Sequence, residues 1–193
     1  EFTGQVWSWQ NSRWTSNKMF EVSREWQLPV VGTQRAYLTG HDEVHSLSQL
    51  LGVPNVRFWM GFSDHYINVF TVLKSLGLLS EQPLRTAEGQ EVVPLKVVKA
   101  VLPDPASLAP GYTGKTCIGV LAQGEKQGRA QEVFIYNVAD HKEAFNEVGS
   151  QGISYTAGVP AVAAAMLIGV GSSTFHPEAS RVARLASGGR FGT

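Results

Sequence analysis

The chain has 193 residues, 43% of them hydrophobic, which is enough for one ordinary globular core. Sixteen basic and sixteen acidic side chains leave no formal net charge, so neither nucleic acid nor an anionic surface is indicated as a partner. One cysteine, Cys117, excludes an internal disulfide framework and fits a reducing compartment such as the cytoplasm.

In chain order, residues 1–33 read as strand and loop, with Val6, Trp7 and Trp9 before a polar turn at Gln10-Asn11-Ser12. "RAYLTG" (35–40) is a short strand. "HDEVHSLSQLL" (41–51) is a helix with Val44, Leu47, Leu50 and Leu51 on one face and Gly52 beyond its end. "VRFWMGF" (56–62) has the aromatic and apolar content of a central strand. Ser63 is a natural N-cap for "DHYINVFTVLKSLG". "GQEVVP" closes a short hairpin, and "PLKVVKAVL" starts with Pro94 at a helix N-terminus and stops before Pro103. "TCIGVLAQ" and "EVFIYNV" form the clearest hairpin, joined by the polar "GEKQGRAQ", and Cys117 in the first of these runs reads as a buried, inert thiol. A short helix, "KEAFNEV", follows Asp140-His141. The expected class is α+β, with an antiparallel or mixed sheet containing 56–62, 116–123 and 132–138 and helices mainly on one face. No glycine-rich phosphate loop follows a predicted strand.

The stretch "VGSQGISYTAGVPAVAAAMLIGVG" (148–171) reads as a helix, since its apolar core is shorter than the roughly 20 residues that span a membrane. Ser154, Ala157, Ala161, Ala164 and Ala165 give it a small-residue face suited to close packing. Gln151, Tyr155 and Gly158 form a second stripe. Pro160 removes an N–H and leaves the Thr156 carbonyl without its helical donor. The Gly149-Ser150 start is expected to offer backbone N–H groups to an anion. Two readings stay open on these residues: a kinked core helix, or the lining of a ligand site.

The segments "RFWMGFSDHYINVFTVLKSLGLL", "VPLKVVKAVLPDPASL", "GKTCIGVLAQGEKQG" and "EVFIYNVADHKEAFNEVGSQGISYTAGVPAVAAAMLI" occur in that order. Together they resemble the carboxynorspermidine (carboxyspermidine) dehydrogenase branch of the saccharopine dehydrogenase family over most of residues 1 to about 170. The resemblance implies a substrate-binding and dimerisation domain, residues 1–171, from an enzyme whose N-terminal Rossmann domain is absent here. The implied reaction is reduction by NADPH of the imine formed between aspartate β-semialdehyde and a diamine, giving carboxynorspermidine or carboxyspermidine. A cytoplasmic homodimer is implied, with the cofactor held mainly by the absent domain and no part for nucleic acid, membrane or metal. Saccharopine oxidation or reduction is the rival within the family. A non-catalytic dimerisation or ligand-binding domain is the rival outside it.

By the same resemblance the "GSQGISYTAGVPA" helix faces the cofactor. Gln151, Tyr155 and Thr156 then supply substrate contacts, and Gly158 and Pro160 approach the nicotinamide. Within the "NVADH" run, His141 is the candidate for proton transfer, with a structural cap on the following helix as the alternative, and Asp140 is a candidate substrate contact. Arg57 and Lys115 are candidate carboxylate ligands, an ion pair being the alternative for Arg57. His41 reads as a cap or surface residue, while His45, His65 and His176 show no metal-ligand spacing. The sequence departs from the family at Ala139, where relatives carry a larger or sulfur side chain, and in residues 172–193, read as an atypical tail.

Overall fold

The computed structural model describes residues 4–169. The expectations for 172–193 and for His176 therefore lie outside the described residues. The fold is α+β, and every strand pairing among the described residues is antiparallel. The chain divides into two compact units, one running to Leu102 without Pro29–Val31, the other comprising Pro29–Val31 and the residues from Pro103 onward.

In the first unit β1 (Gln5–Gln10) and β2 (Arg13–Lys18) form a hairpin. Its two-residue turn places Asn11 and Ser12 at φ 51° and 58°, the doubly left-handed geometry that matches strand twist. β3 (Ser23–Leu28), β4 (Gly32–Thr39) and β5 (Phe58–Gly61) form a sheet in that order. Val6, Met19 and Leu38 are its buried core, with Phe20, Trp59 and Phe62 packed against them. α1 (Asp42–Leu50) buries Val44. α2 (Asp64–Ser75) starts at Ser63, whose hydroxyl accepts the N–H of Tyr66 at 3.2 Å, the cap expected from the sequence. A two-residue pairing of β6 (Leu84–Arg85) with β7 (Glu91–Val92) leads to α3 (Pro94–Val101).

The second unit opens with α4 (Pro105–Leu108), capped by Asp104, and a 3-10 turn at Ala109–Gly111. The hairpin of β8 (Lys115–Lys126) and β9 (Arg129–Asp140) follows. Pairing continues to Lys126↔Arg129, so most of "GEKQGRAQ" is strand and only Gln127 and Gly128 turn. Polar character signalled a loop there, but alternating exposed side chains satisfy a solvated strand equally well. α5 (His141–Val148) and α6 (Gly152–Gly169) then pack against the hairpin.

Two sequence expectations change. Within 56–62, β5 is an edge of the first sheet beside β4, Val56 makes an isolated bridge to Trp9 of β1, and none of it joins the β8–β9 hairpin in one sheet. Its aromatic content reflects ring packing, Trp59 meeting Trp26 edge-on at 6.1 Å, rather than a central position. Second, the small-residue face of α6 is not its packed face: Ser154, Ala157, Ala161, Ala164 and Ala165 are all exposed. The close approach falls on Gly152, where an added Cβ would lie 3.2 Å from His141 Nδ1 and 3.3 Å from Thr116 Cγ2. No helix among the described residues is long and apolar enough to cross a membrane.

Candidate functional site

The β9–α5 junction is built by one carboxylate. Asp140 has extended backbone, and its Oδ1 accepts the N–H groups of Lys142 at 2.9 Å and Glu143 at 3.2 Å. This caps α5 and satisfies two donors that a helix start otherwise leaves unpaired. α5 ends at Gly149, whose φ of 68° is the left-handed C-cap geometry that glycine adopts without strain. Gly149 donates back to Phe145 O, so the expected anion-binding start at Gly149-Ser150 is in part the closed end of the preceding helix.

His141 follows the cap and is 8% exposed. Its backbone N–H bonds Gly114 O, and its Nδ1 accepts the N–H of Gly152 at 3.1 Å. Accepting at Nδ1 places the neutral ring's proton on Nε2. Tyr112 packs beside the ring at 5.5 Å. The imidazole thereby ties the start of α6 to that of α5, and the histidine caps the second helix with its side chain rather than the first.

Beside this tie, β9, α5 and α6 border a half-open cavity of about 160 Å³. Asp140, Glu143 and Glu147 line it, with Asn137, Tyr155, Thr156 and Pro160. Glu143 and Glu147 stand four residues apart and share one face of α5. The Tyr155 hydroxyl donates to Glu147 Oε2 at 3.1 Å, and burial first, then this carboxylate, holds the phenol above its usual range. Thr156 is buried and its hydroxyl donates to Ile153 O. Tyr155, Glu147 and Val159 also border an open groove of about 330 Å³, along which lie Ser150, Ser154, Gly158 and Val162. Gly158 faces open space there, since a Cβ built on it meets nothing within 4 Å.

The residues singled out from sequence distribute unevenly. Asp140, Tyr155, Thr156 and Pro160 line the cavity and Gly158 the groove, whereas His141 lines neither. Gln151 sits between α5 and α6 with its Oε1 buried and unpartnered. Lys115 begins β8 opposite Asp140 and is exposed. Arg57 belongs to the first unit, where Nη2 donates to Gln10 Oε1 and Asn55 Oδ1, two neutral amides in place of an ion pair. His41 caps α1 through its backbone, bonds Glu43 and stacks on Phe58. Cys117 is half-buried, and burial raises its thiol above the ordinary value. Asn137, Glu143 and Glu147 were missed in the sequence, although the spacing of the two glutamates on a short helix was a readable signal.

Neither helix start at this site offers a free cradle for a phosphate. β9 runs into α5 without a glycine, and the Asp140 carboxylate occupies the helix start where a phosphate would bind. At α6 the N–H of Gly152 is taken by His141.

Comparison with known proteins agrees with this architecture. Residues 3–180 match the saccharopine dehydrogenase C-terminal domain. The chain is 47% identical over 166 residues, 86% of its length, to a carboxynorspermidine synthase of Vibrio alginolyticus. It is 42% identical over 156 residues, 80% of its length, to a carboxyaminopropylagmatine dehydrogenase of Synechocystis. These alignments take in 40% and 39% of the two relatives, so the chain spans about two fifths of their length. A 29-residue stretch, 15% of the chain, is 76% identical to 7% of the fosmidomycin resistance protein of Escherichia coli. With 3–180 covered by one family model and α5, α6 and the hairpin arranged as described, the chain belongs to the saccharopine dehydrogenase C-terminal domain family.

Proposed function

We propose that this chain is the substrate-binding and dimerisation part of an NADPH-dependent oxidoreductase of polyamine biosynthesis. The enzyme reduces the imine of aspartate β-semialdehyde and a diamine to carboxynorspermidine or carboxyspermidine. The observation that carries the reading is the 47% identity to a carboxynorspermidine synthase over 86% of the chain. The β9–α5–α6 cavity supports it by offering several hydrogen-bond acceptors beside an open groove. When bound, a nicotinamide cofactor would supply the hydride that reduces the protonated C=N bond. Its dinucleotide is assigned to the length of the enzyme outside this chain, because the starts of α5 and α6 are taken by Asp140 and His141. Within the chain, Tyr155 is held protonated and can orient a substrate group, and the open side of Gly158 leaves room along the groove.

Homodimerisation belongs to the same proposal. By strand alternation Thr116, Ile118 and Val120 share a face with Asn137, Ile135 and Val133. α5 and α6 cover its Thr116–Asn137 end, while Val120 and Ile135 remain 64% and 67% exposed. A lone two-stranded ribbon is at best marginally stable in water, so a second copy covering this apolar face would stabilise it.

The test replaces the matching segment of the Vibrio alginolyticus synthase with this chain. The graft is checked by melting and light scattering, then supplied with NADPH, aspartate semialdehyde and a panel of amines. Carboxynorspermidine or carboxyspermidine among the products supports the proposal. A folded, NADPH-binding graft that leaves these imines unreduced, or works only on the saccharopine imine, refutes it.

A further inference from the structure

The tie between α5 and α6 holds in one protonation state of His141. The ring is 8% exposed, and its Nδ1 accepts the N–H of Gly152 at 3.1 Å. Glycine permits this approach, since a Cβ at 152 would lie 3.2 Å from Nδ1, 3.3 Å from Thr116 Cγ2 and 3.5 Å from Ala139 O. The accepting nitrogen must keep its lone pair free. Once the ring takes a second proton, Nδ1 becomes a donor and meets the Gly152 N–H donor to donor. Turning the ring over places a carbon there and loses the bond equally.

The surroundings favour the neutral ring. His141 is the first residue of α5 and bonds the first residue of α6, so the positive ends of two helices converge on the imidazole. From the 3-10 segment, Tyr112 packs beside the ring at 5.5 Å. Asp140, at the end of β9, is engaged with the N–H groups of Lys142 and Glu143. Thr116 faces Gly152, so by strand alternation Lys115 and Cys117 belong to the other face of β8. On α6, the Tyr155 hydroxyl is bonded to Glu147 of α5. Among the described residues no carboxylate forms an ion pair with His141.

We propose that His141 is an acid-sensitive latch, which holds the start of α6 against α5 while its ring is neutral and releases it on protonation. Release loosens Tyr155 and Thr156 where they border the cavity. The bond's contribution is complete above the range in which a water-exposed imidazole titrates, about pH 6.5, and declines as the pH falls below it. The latch is a property of the fold and stands or falls apart from the reaction proposed above.

The experiment compares the 193-residue chain with His141→Asn, whose side-chain oxygen takes the place of Nδ1 as acceptor and does not titrate. Amide exchange is followed by NMR from about pH 7.5 to 5. Intrinsic exchange chemistry and the other histidines are common to both chains, so the ratio of wild-type to variant rates isolates the ring. At Gly152 this ratio is expected to rise about tenfold between about pH 7 and 5.5, while amides of α2 keep a constant ratio. Nitrogen spectra of the wild-type imidazole decide the question even where the variant fails to fold. They should place the proton on Nε2 at neutral pH, and the second proton should arrive together with faster exchange at Gly152. A flat ratio at Gly152 overturns the latch. So does a proton on Nδ1 at neutral pH, or a ring that becomes protonated while Gly152 stays protected.

Discussion

Glycine 152 and glycine 158 lie in one helix, and the structure assigns opposite signs to the same substitution at the two positions. At Gly158 a Cβ meets nothing within 4 Å, so Gly158→Ala gains only helix propensity, about 0.5–1 kcal/mol. At Gly152 the Cβ arrives 3.2 Å from His141 Nδ1, 3.3 Å from Thr116 Cγ2 and 3.5 Å from Ala139 O. The imidazole cannot retreat freely, because the same nitrogen accepts the Gly152 N–H at 3.1 Å. Overpacking of this kind costs roughly 1–3 kcal/mol, and the propensity gain is smaller at the first residue of a helix. The net expectation for Gly152→Ala is a loss of about 1–2 kcal/mol. Near 2–4 °C per kcal/mol for chains of this size, it should melt about 2–8 °C below wild type and Gly158→Ala about 1–4 °C above it. Thermal melts followed by circular dichroism, checked by urea midpoints, measure both. Gly152→Ala melting at or above wild type would refute the tie between α5 and α6 as drawn.

His141→Phe keeps bulk beside Tyr112 but strands the buried Gly152 N–H, with an expected loss of about 1–3 kcal/mol in urea and faster amide exchange at Gly152. Asp140→Ala removes both cap bonds of α5 and should cost about 0.5–2 kcal/mol; a change inside the error of the urea midpoint would contradict the cap. Burial raises the Cys117 thiol, so its folded form binds the proton more tightly than the unfolded one. That contribution is complete below the ordinary thiol range near pH 8.5 and is lost as pH rises through the folded value. A disulfide reagent at pH 8 should accordingly react several-fold faster with the urea-unfolded chain than with the folded one, and equal rates would sink the assignment. Calorimetry of the 193-residue chain should show no micromolar NADPH binding, since the starts of α5 and α6 are already capped; such binding would place a cradle where none is drawn.

Local signals in the sequence were read correctly wherever chemistry is confined to a few neighbours. Ser63 caps α2, Pro94 opens α3, the turn at Asn11-Ser12 closes β1 on β2, and the "TCIGVLAQ"/"EVFIYNV" runs pair as β8 and β9. Each needs one residue type at one position, so the residues suffice to show it. What joins what across the chain was less legible. The aromatic "RFWMGF" run reads the same on a central or an edge strand, because rings of the first unit bury it from the faces and not through a second strand neighbour.

The helix at 152–169 shows the harder limit. Its sequence offers a small-residue stripe through Ser154, Ala157, Ala161 and Ala165, while the stripe that the structure buries runs through Gly152, Thr156, Val159 and Ala163. Periodicity ranks neither above the other, since alanine and glycine carry little hydrophobic signal of their own. The choice is made by His141, eleven residues before Gly152 in the chain, whose Nδ1 takes the first helical N–H and turns the second stripe toward the hairpin. A histidine following an aspartate reads as catalytic because the imidazole titrates near neutrality, yet this ring is buried and already engaged. The carboxylates that line the cavity come instead from Asp140 at the end of β9 and from Glu143 and Glu147 on α5. These residues come to line one cavity only once the helices have folded back over β9, and the bond His141 makes ties the start of α6 to that return.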